Sequence, residues 1–465
     1  MMKYKNFYFE NYKGIKERLE FNLNTDAVFP HCILGNNESG KTTILKGIEL
    51  IGKLCEGNTI QNGERKAIKP KGDYFSGIVK LGATLIAEKE DVEEGSILSK
   101  YLKSTENEFI ISLSFSYEFK RSSFVENSNK VEINFDGSLV TAKDDIKAIF
   151  DLIKQSAPDL VYYDDFKFMV PKAIRFIESG KSPSDPAYLN SPENKHWQQI
   201  FDDILKGHDS KAASFQKDVV DWYKDANNDP SIADSRLRNM GKYLDKVLEE
   251  WIDNKDNNIG GFEVSKKQPE KEEDKQFNDY QIRIISGVNS YEMNERSKGL
   301  QWSFCFHILT KIRQNRHGAG FIFLLDEPAN NLHIRPQKQM LEHLKGLCKD
   351  NSAVIYTTHA PELIGIEKEC YEYTFIAKNK AGEFDTDIRL YGLTEPGLDV
   401  DIQDLEPILA KLAYEDVKSL SDDKPKNDKQ KWKSILKNIK EGLPIASQTS
   451  TIANFGLTLS KFFGH

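Results

Sequence analysis

Residues 35–42 read Gly35-Asn36-Asn37-Glu38-Ser39-Gly40-Lys41-Thr42, two glycines with four residues between them followed by a lysine and a threonine. No other stretch restricts the fold as much. An apolar run over 27–34 precedes it and helical periodicity over 42–54 follows, which predicts a strand, loop, helix unit. In such a loop the glycines let backbone N–H groups wrap around an anion, and the start of the helix adds unpaired N–H groups and the positive end of its dipole. Gly35, Asn36, Asn37, Glu38, Ser39, Gly40, Lys41, Thr42 and Thr43 are therefore candidates to bind a polyphosphate. Lys41 would meet the β- and γ-phosphates of a nucleotide, and the Thr42 hydroxyl would ligate Mg²⁺.

Nearly three hundred residues later the apolar run Phe321-Ile322-Phe323-Leu324-Leu325 ends in Asp326-Glu327-Pro328. A buried strand presents carboxylates only at its C-terminal end, which in an open α/β sheet is where ligands bind. Asp326 is suited to hold Mg²⁺ through water, and Glu327 to polarise the water that attacks a γ-phosphate. A further strand, Ala353 onward, ends in Thr357-Thr358-His359. His359 would reach the γ-phosphate or the attacking water, whereas His31, His196, His208, His307, His317 and His343 read as structural.

The chain has 465 residues, a net charge of -8, 39% hydrophobic and 29% charged residues, enough for two or three packed units. Mean hydropathy is -0.56, and no apolar run approaches the roughly 20 residues that span a bilayer. With no secretory signal at residues 1–6, a cytoplasmic protein is expected. Cys32, Cys55, Cys305, Cys348 and Cys370 show no C-x-x-C spacing and read as buried thiols of a reducing compartment. Mild acidity excludes coating of nucleic acid by bulk charge, though not a local basic patch.

Residues 4–9 and 15–23 read as strands around the turn-like Asn11-Tyr12-Lys13-Gly14, and 108–119 and 130–135 as an antiparallel β region with an Asp136-Gly137 turn. From about 141 to 260 the spacing becomes helical, interrupted by Pro158, Pro171, Pro183, Pro186, Pro192 and Pro230, which break any long heptad run. A charged linker follows at 265–276. Strands are expected again at 280–286, 321–325 and 353–357. The expected organisation is an α/β domain, 1–140 and 281–395, split by a helical insertion and linker at 141–280, with a C-terminal helical extension at 396–465.

The phosphate loop, the Asp326-Glu327 pair and His359, in this order and separation, resemble the Walker A, Walker B and switch histidine of an ABC-type P-loop ATPase head. The subgroup resembled is that of the SMC, RecF and overcoming-lysogenization-defect (OLD) ATPases, across roughly 1–140 and 280–395. Asn11-Tyr12-Lys13-Gly14-Ile15 is similar to the turn that opens those heads, and Asn330-Asn331-Leu332-His333 takes the place of their D-loop. Arg296-Ser297-Lys298-Gly299-Leu300-Gln301 stands where the signature sequence should be, retaining Ser297 and Gly299. The resemblance implies that Ser297, Lys298 and Gly299 cap the γ-phosphate of ATP held by a second subunit; an ordinary serine helix cap is the alternative. No glutamine is assigned to a Q-loop.

Asp385-Thr386-Asp387 reads as a charged turn and not as a nuclease motif. The chain thus resembles the ATP-binding subunits of bacterial anti-phage defence systems of the PARIS or Septu type. That likeness implies Mg²⁺-dependent ATP hydrolysis, a homo-oligomer with ATP-dependent head pairs, no membrane, and a separate effector protein, a nuclease or toxin. A RecF-like clamp on duplex DNA and a regulatory scaffold with little turnover remain open. The acidic run Asp144, Asp145, Asp151, Asp159, Asp164 and Asp165 favours a protein partner over DNA at the inserted lobe.

Overall fold

The computed structural model describes residues 2–393, apart from 25–27, 61, 71–73, 93–94, 104–106, 164–169, 182–188, 225–227, 250–258, 270–274, 315–319, 329–333, 350, 366–367 and 381–385, together with Ile408. The C-terminal extension (Ile408 aside) and the run Asn330-Asn331-Leu332-His333 thus lie outside the described residues. The chain packs as two units, Met1–Asp164 with Ala319–His465, and Asp165–Gly318.

The first unit holds two sheets. One is antiparallel, with strands in the order Leu19–Asn22, Lys3–Glu10, Gly77–Glu88, Glu108–Lys120, Lys130–Phe135 and Ser138–Val140, and Ser123–Phe124 pairs with Glu108–Lys120. Asp136 and Gly137 both have positive φ (47° and 77°), the backbone of a tight hairpin turn whose twist matches the flanking strands. The Gly77–Glu88 strand, unforeseen in the sequence, pairs with both Lys3–Glu10 and Glu108–Lys120. The other sheet runs Ile388–Gly392, Thr374–Asn379, His31–Leu34, Ala353–Thr358, Phe321–Leu325, Asp159–Tyr163, parallel throughout except for the first of these. His31–Leu34, Phe321–Leu325 and Ala353–Thr358 are buried at every position, as strands covered on both faces must be.

Helix Lys41–Cys55 buries Ile44, Leu45, Ile48, Ile51 and Leu54, each worth roughly 1.5–3 kcal/mol on burial. These side chains join one apolar core with residues of both sheets, including Phe7, Phe9, Leu81, Ile322 and Ile355.

His31 is 2% exposed, stacked on Phe375 at 6.3 Å and edge-on to Tyr373 at 5.3 Å, and its Nε2 accepts the Asn24 N–H at 3.2 Å. Burial, offset in part by a backbone hydrogen bond to Val354, pushes its pKa down from 6.5 to about 4. The unfolded chain then binds more protons than the folded one between these values, so the contribution is whole above pH 6.5 and lost as pH falls toward 4. From pH 7 to pH 4 this group should remove about 3 kcal/mol of stability. Urea unfolding of His31→Phe should show a correspondingly shallower acid loss than wild type; equal slopes would discard the assignment.

The second unit contains helices Pro192–His208, Pro230–Val247 and Lys298–Gln314 and an antiparallel sheet with strand order Ile174–Phe176, Asn278–Ser286, Gly261–Lys267, to which Asn289–Glu292 adds by pairing with Asn278–Ser286. It is therefore mixed, where the sequence pattern predicts a helical lobe. Pro192 and Pro230 open helices behind the caps Ser191 and Asp229, a position where the missing N–H costs nothing. Phe176, Phe201, Phe215 and Tyr280 form its aromatic centre.

The units divide at Asp164 and Gly318, where the sequence reading put the lobe at 141–280. Helix Lys143–Ser156 and strand Asp159–Tyr163 belong to the first unit, and strand Asn278–Ser286 belongs to the second. Asp159–Tyr163 is a short and mostly apolar run and Asn278–Ser286 a longer one that mixes polar with apolar residues, and neither pattern says which sheet the strand joins. The acidic-surface argument is corrected in part: Asp145 is 1% exposed and bound by Lys100 at 2.7 Å and by the Tyr101 hydroxyl.

Candidate active site

Strand register brings the polar residues together. Leu325 pairs with Tyr163 and Tyr356, and Thr358 with Leu34, so Tyr162, Asp326, Glu327, Thr357, His359 and Gly35 share one sheet edge, the C-terminal one. Ligands of open parallel sheets bind at this edge.

The phosphate loop leaves His31–Leu34 and enters helix Lys41–Cys55 through Gly40, whose φ of 99° lies in the left-handed region that glycine adopts without steric cost. Asn36, Asn37 and Glu38 are exposed and Ser39 is buried. Ser39 Oγ has no hydrogen-bond partner among the described residues. Lys41, 6% exposed, donates through Nζ to Gly35 O at 2.8 Å and Asn36 O at 3.2 Å and stands 3.3 Å from Glu327 Oε1.

The two carboxylates are held differently. Asp326 Oδ1 accepts from Thr42 Oγ1 at 3.1 Å and Thr357 Oγ1 at 2.8 Å, and Oδ2 accepts from the Tyr162 hydroxyl at 3.0 Å. Glu327 lies between Lys41 on one oxygen and His359 Nδ1, 2.8 Å from the other. Its own N–H donates to Thr357 Oγ1 at 2.8 Å. Its φ of 50° is unusual for a residue with a Cβ and costs of order 1–3 kcal/mol. The hydrogen bond and the contacts with Lys41 and His359 hold that conformation in place.

This donor set fits Mg²⁺, which takes hard oxygen ligands and keeps much of its water. Thr42 Oγ1 and Asp326 Oδ1 already face each other at 3.1 Å. The orphaned Ser39 hydroxyl, the Lys41 ammonium and the helix N-terminus likewise fit a polyphosphate. Among the described residues no cluster of three or more His, Cys, Asp or Glu could hold a metal by itself.

A cavity of about 580 Å³ opens over the loop, lined by residues 37–43, Glu327, Lys13, Gly14, Asn379, Thr386 and Ile388. Lys41, Thr42, Asp326, Glu327 and His359 thus converge. Ser297, Lys298 and Gly299 lie in the second unit, at the start of helix Lys298–Gln314, where Ser297 Oγ accepts the Leu300 N–H at 3.3 Å. Ser297 caps this helix in its own chain. Gln301 Nε2 donates to Asn294 O and Arg296 O and so fixes the turn before the helix.

Sequence reasoning missed Tyr162 and Thr357, which orient Asp326, and the Thr386 and Ile388 wall. A hydroxyl at a strand end carries no spacing signature. Thr357 could have been found from its place just before His359.

A phosphate loop after one strand and an Asp-Glu pair at the end of another, with the Ala353–Thr358 strand between them in one parallel sheet, define a mixed α/β P-loop ATPase. Residues 2–364 match the AAA ATPase domain family (AAA_15), and the chain belongs to that family. Over 136 residues, 28% of this chain, it is 30% identical to uncharacterized protein MJECL43 of Methanocaldococcus jannaschii, of whose length it covers 33%. Among solved structures it resembles an SmcHead bound to the C-winged helix domain of ScpA at 12% identity and TM-score 0.47, over 84% of this chain and 98% of that one. It also resembles the recombination mediator protein RecF-ATPrS of the RecFOR pathway at 12% identity and TM-score 0.39, over 84% and 98%. Among the described residues no helix is long and apolar enough to cross a membrane.

Proposed function

We propose that the chain binds ATP with Mg²⁺ at the phosphate loop and hydrolyses it. The observation that carries this reading is the convergence at one sheet edge of two contact groups, Thr42 with Asp326 and Lys41 with Glu327 and His359, joined through the Thr357 hydroxyl. The loop N–H groups and Lys41 bind the β- and γ-phosphates and offset the charge that builds on them during transfer. Thr42 and Asp326 would hold Mg²⁺, which would supply positive charge against that of the phosphates. Glu327 accepts a proton from the attacking water, a role worth about 10²–10⁴-fold in rate. His359, half exposed beside Glu327, orients the carboxylate and faces the γ-phosphate.

Two heads close around ATP, with Ser297, Lys298 and Gly299 of each meeting the γ-phosphate held by the other. A serine cap with free N–H groups behind it and a lysine beside it suits an anion. Mixing singly inactive Ser297→Arg and Glu327→Gln chains tests this: mixed pairs contain one site with both lesions and one with neither. Recovery of ATPase activity is expected. Mixed pairs that form but stay inactive would count against action in trans.

The work done with ATP is control of a separate effector, a nuclease or toxin, in the cytoplasm of a cell defending itself against phage. Support for this part comes from the likeness of the chain's motifs to such systems. Its test is capture of the effector in ATP, considered with Lys41 below.

A further inference from the structure

The lining of the cavity over the phosphate loop is of two chemical kinds. Lys41, Thr42 and Glu327 bring charge, and the helix N-terminus adds its dipole, which suits phosphates. Gly14, Thr386, Ile388 and Asn379 bring a hydroxyl, an amide and an apolar surface, with Lys13 among the lining residues. A nucleoside triphosphate held by its phosphates also carries an uncharged ribose and base, which the second kind of lining suits.

We propose that the Thr374–Asn379/Ile388–Gly392 hairpin forms the nucleoside-recognising wall of this cavity, with Thr386 as its specificity-determining contact and Ile388 as its apolar surface. The proposal rests on the reading of the loop as the triphosphate site. The hairpin lies beyond the residues matched by the family, yet it is seated on the loop. A Cβ at Gly40 would come within 2.4–2.7 Å of three Ile388 side-chain carbons, and a Cβ at Gly14 within 2.7 Å of Ile388 Cδ1 and 3.1 Å of Thr386 Oγ1. Glycine at both positions is what permits this approach.

The hairpin is also pinned in place. Ile388 N donates to Gly14 O at 2.9 Å, and Asp387 N donates to Asn379 Oδ1 at 2.9 Å. Arg389 ties Asp387, at 2.9 Å, to Glu17. Asp387, half of the expected charged turn, is thus a tether, and Thr386 beside it is held at the cavity wall. Fixed hydroxyl and amide groups above an apolar surface are the equipment for fixing a ribose or base in orientation.

Calorimetric titration of the full chain with ATP and with inorganic triphosphate, both in Mg²⁺, tests the proposal. Wild type should prefer ATP. Thr386→Val, nearly the same shape without the hydroxyl, should weaken ATP roughly 3- to 10-fold, the size of one lost hydrogen bond, and leave inorganic triphosphate unchanged. Thr386→Ser should restore most of the difference. A melting temperature equal to wild type certifies the variant, with Thr386→Ala taking its place if valine disturbs the fold. Unchanged ATP affinity, or equal loss of both ligands in a folded variant, overturns the proposal. Lys41→Ala is the separate control: if it keeps wild-type affinity for inorganic triphosphate, the phosphate-loop reading fails and the proposal with it.

Discussion

Replacing Lys41 with alanine is expected to abolish ATP binding at concentrations that saturate wild type, a loss of 100-fold or more on the order of a buried charged contact at about 3 kcal/mol. The ammonium is buried, draws the loop together through Gly35 O and Asn36 O, and faces Glu327. Its removal takes away the phosphates' cation and leaves Glu327 turned toward them without its nearest positive partner. Calorimetry with Mg²⁺ reads the result directly, and equal affinity in variant and wild type would end the assignment. The same variant should fail to retain an effector protein that wild type captures from cells in ATP, because nucleotide can bias a partner only through differential binding. Capture of duplex DNA in place of protein, with steep salt dependence, would favour a RecF-like clamp.

Replacing Glu327 with glutamine should separate binding from turnover. The amide keeps the size of the carboxylate and its place beside Thr357 and His359 but cannot take a proton from water. ATP should remain bound while hydrolysis falls about 10²–10⁴-fold. Pre-steady-state quench experiments with radiolabelled ATP check this, since a bound, uncleaved triphosphate is the expected species. Turnover at the wild-type rate would move the general base elsewhere. His359 touches only Glu327 Oε2 within this group, so it acts through the carboxylate and its loss should cost less.

The parts of this site that were legible in the sequence are those whose chemistry is local in the chain. Gly35 to Thr42 is a loop and the first residues of a helix, whose backbone path demands its own residues, so the pattern announces itself. Asp326 and Glu327 end an apolar run, and His359 ends another. Tyr162 was not legible: it lies on a five-residue strand, Asp159–Tyr163, whose place beside Phe321–Leu325 is decided by pairing across the sheet and not by neighbours in sequence. The same reason left the strand expected at 280–286 grouped with residues 281–395, whereas Asn278–Ser286 pairs within the second unit's sheet, since its partners are not written in its own sequence. Ile388 shows the limit from another side, because its role follows from the absence of side chains at Gly14 and Gly40. The inserted unit read as helical because its longest periodic segments are helices, while its strands are short and charged, as in Phe262-Glu263-Val264-Ser265-Lys266.

Glu327 occupies a backbone conformation that glycine or asparagine would adopt at less cost. Selection for a sturdier protein and selection for a working one therefore pull in opposite directions at this one position. On the proposed reading, a lineage freed from the need to hydrolyse would relieve that backbone cost by a change there, give up the carboxylate that faces the Lys41 ammonium, and keep the loop and the sheet while losing turnover.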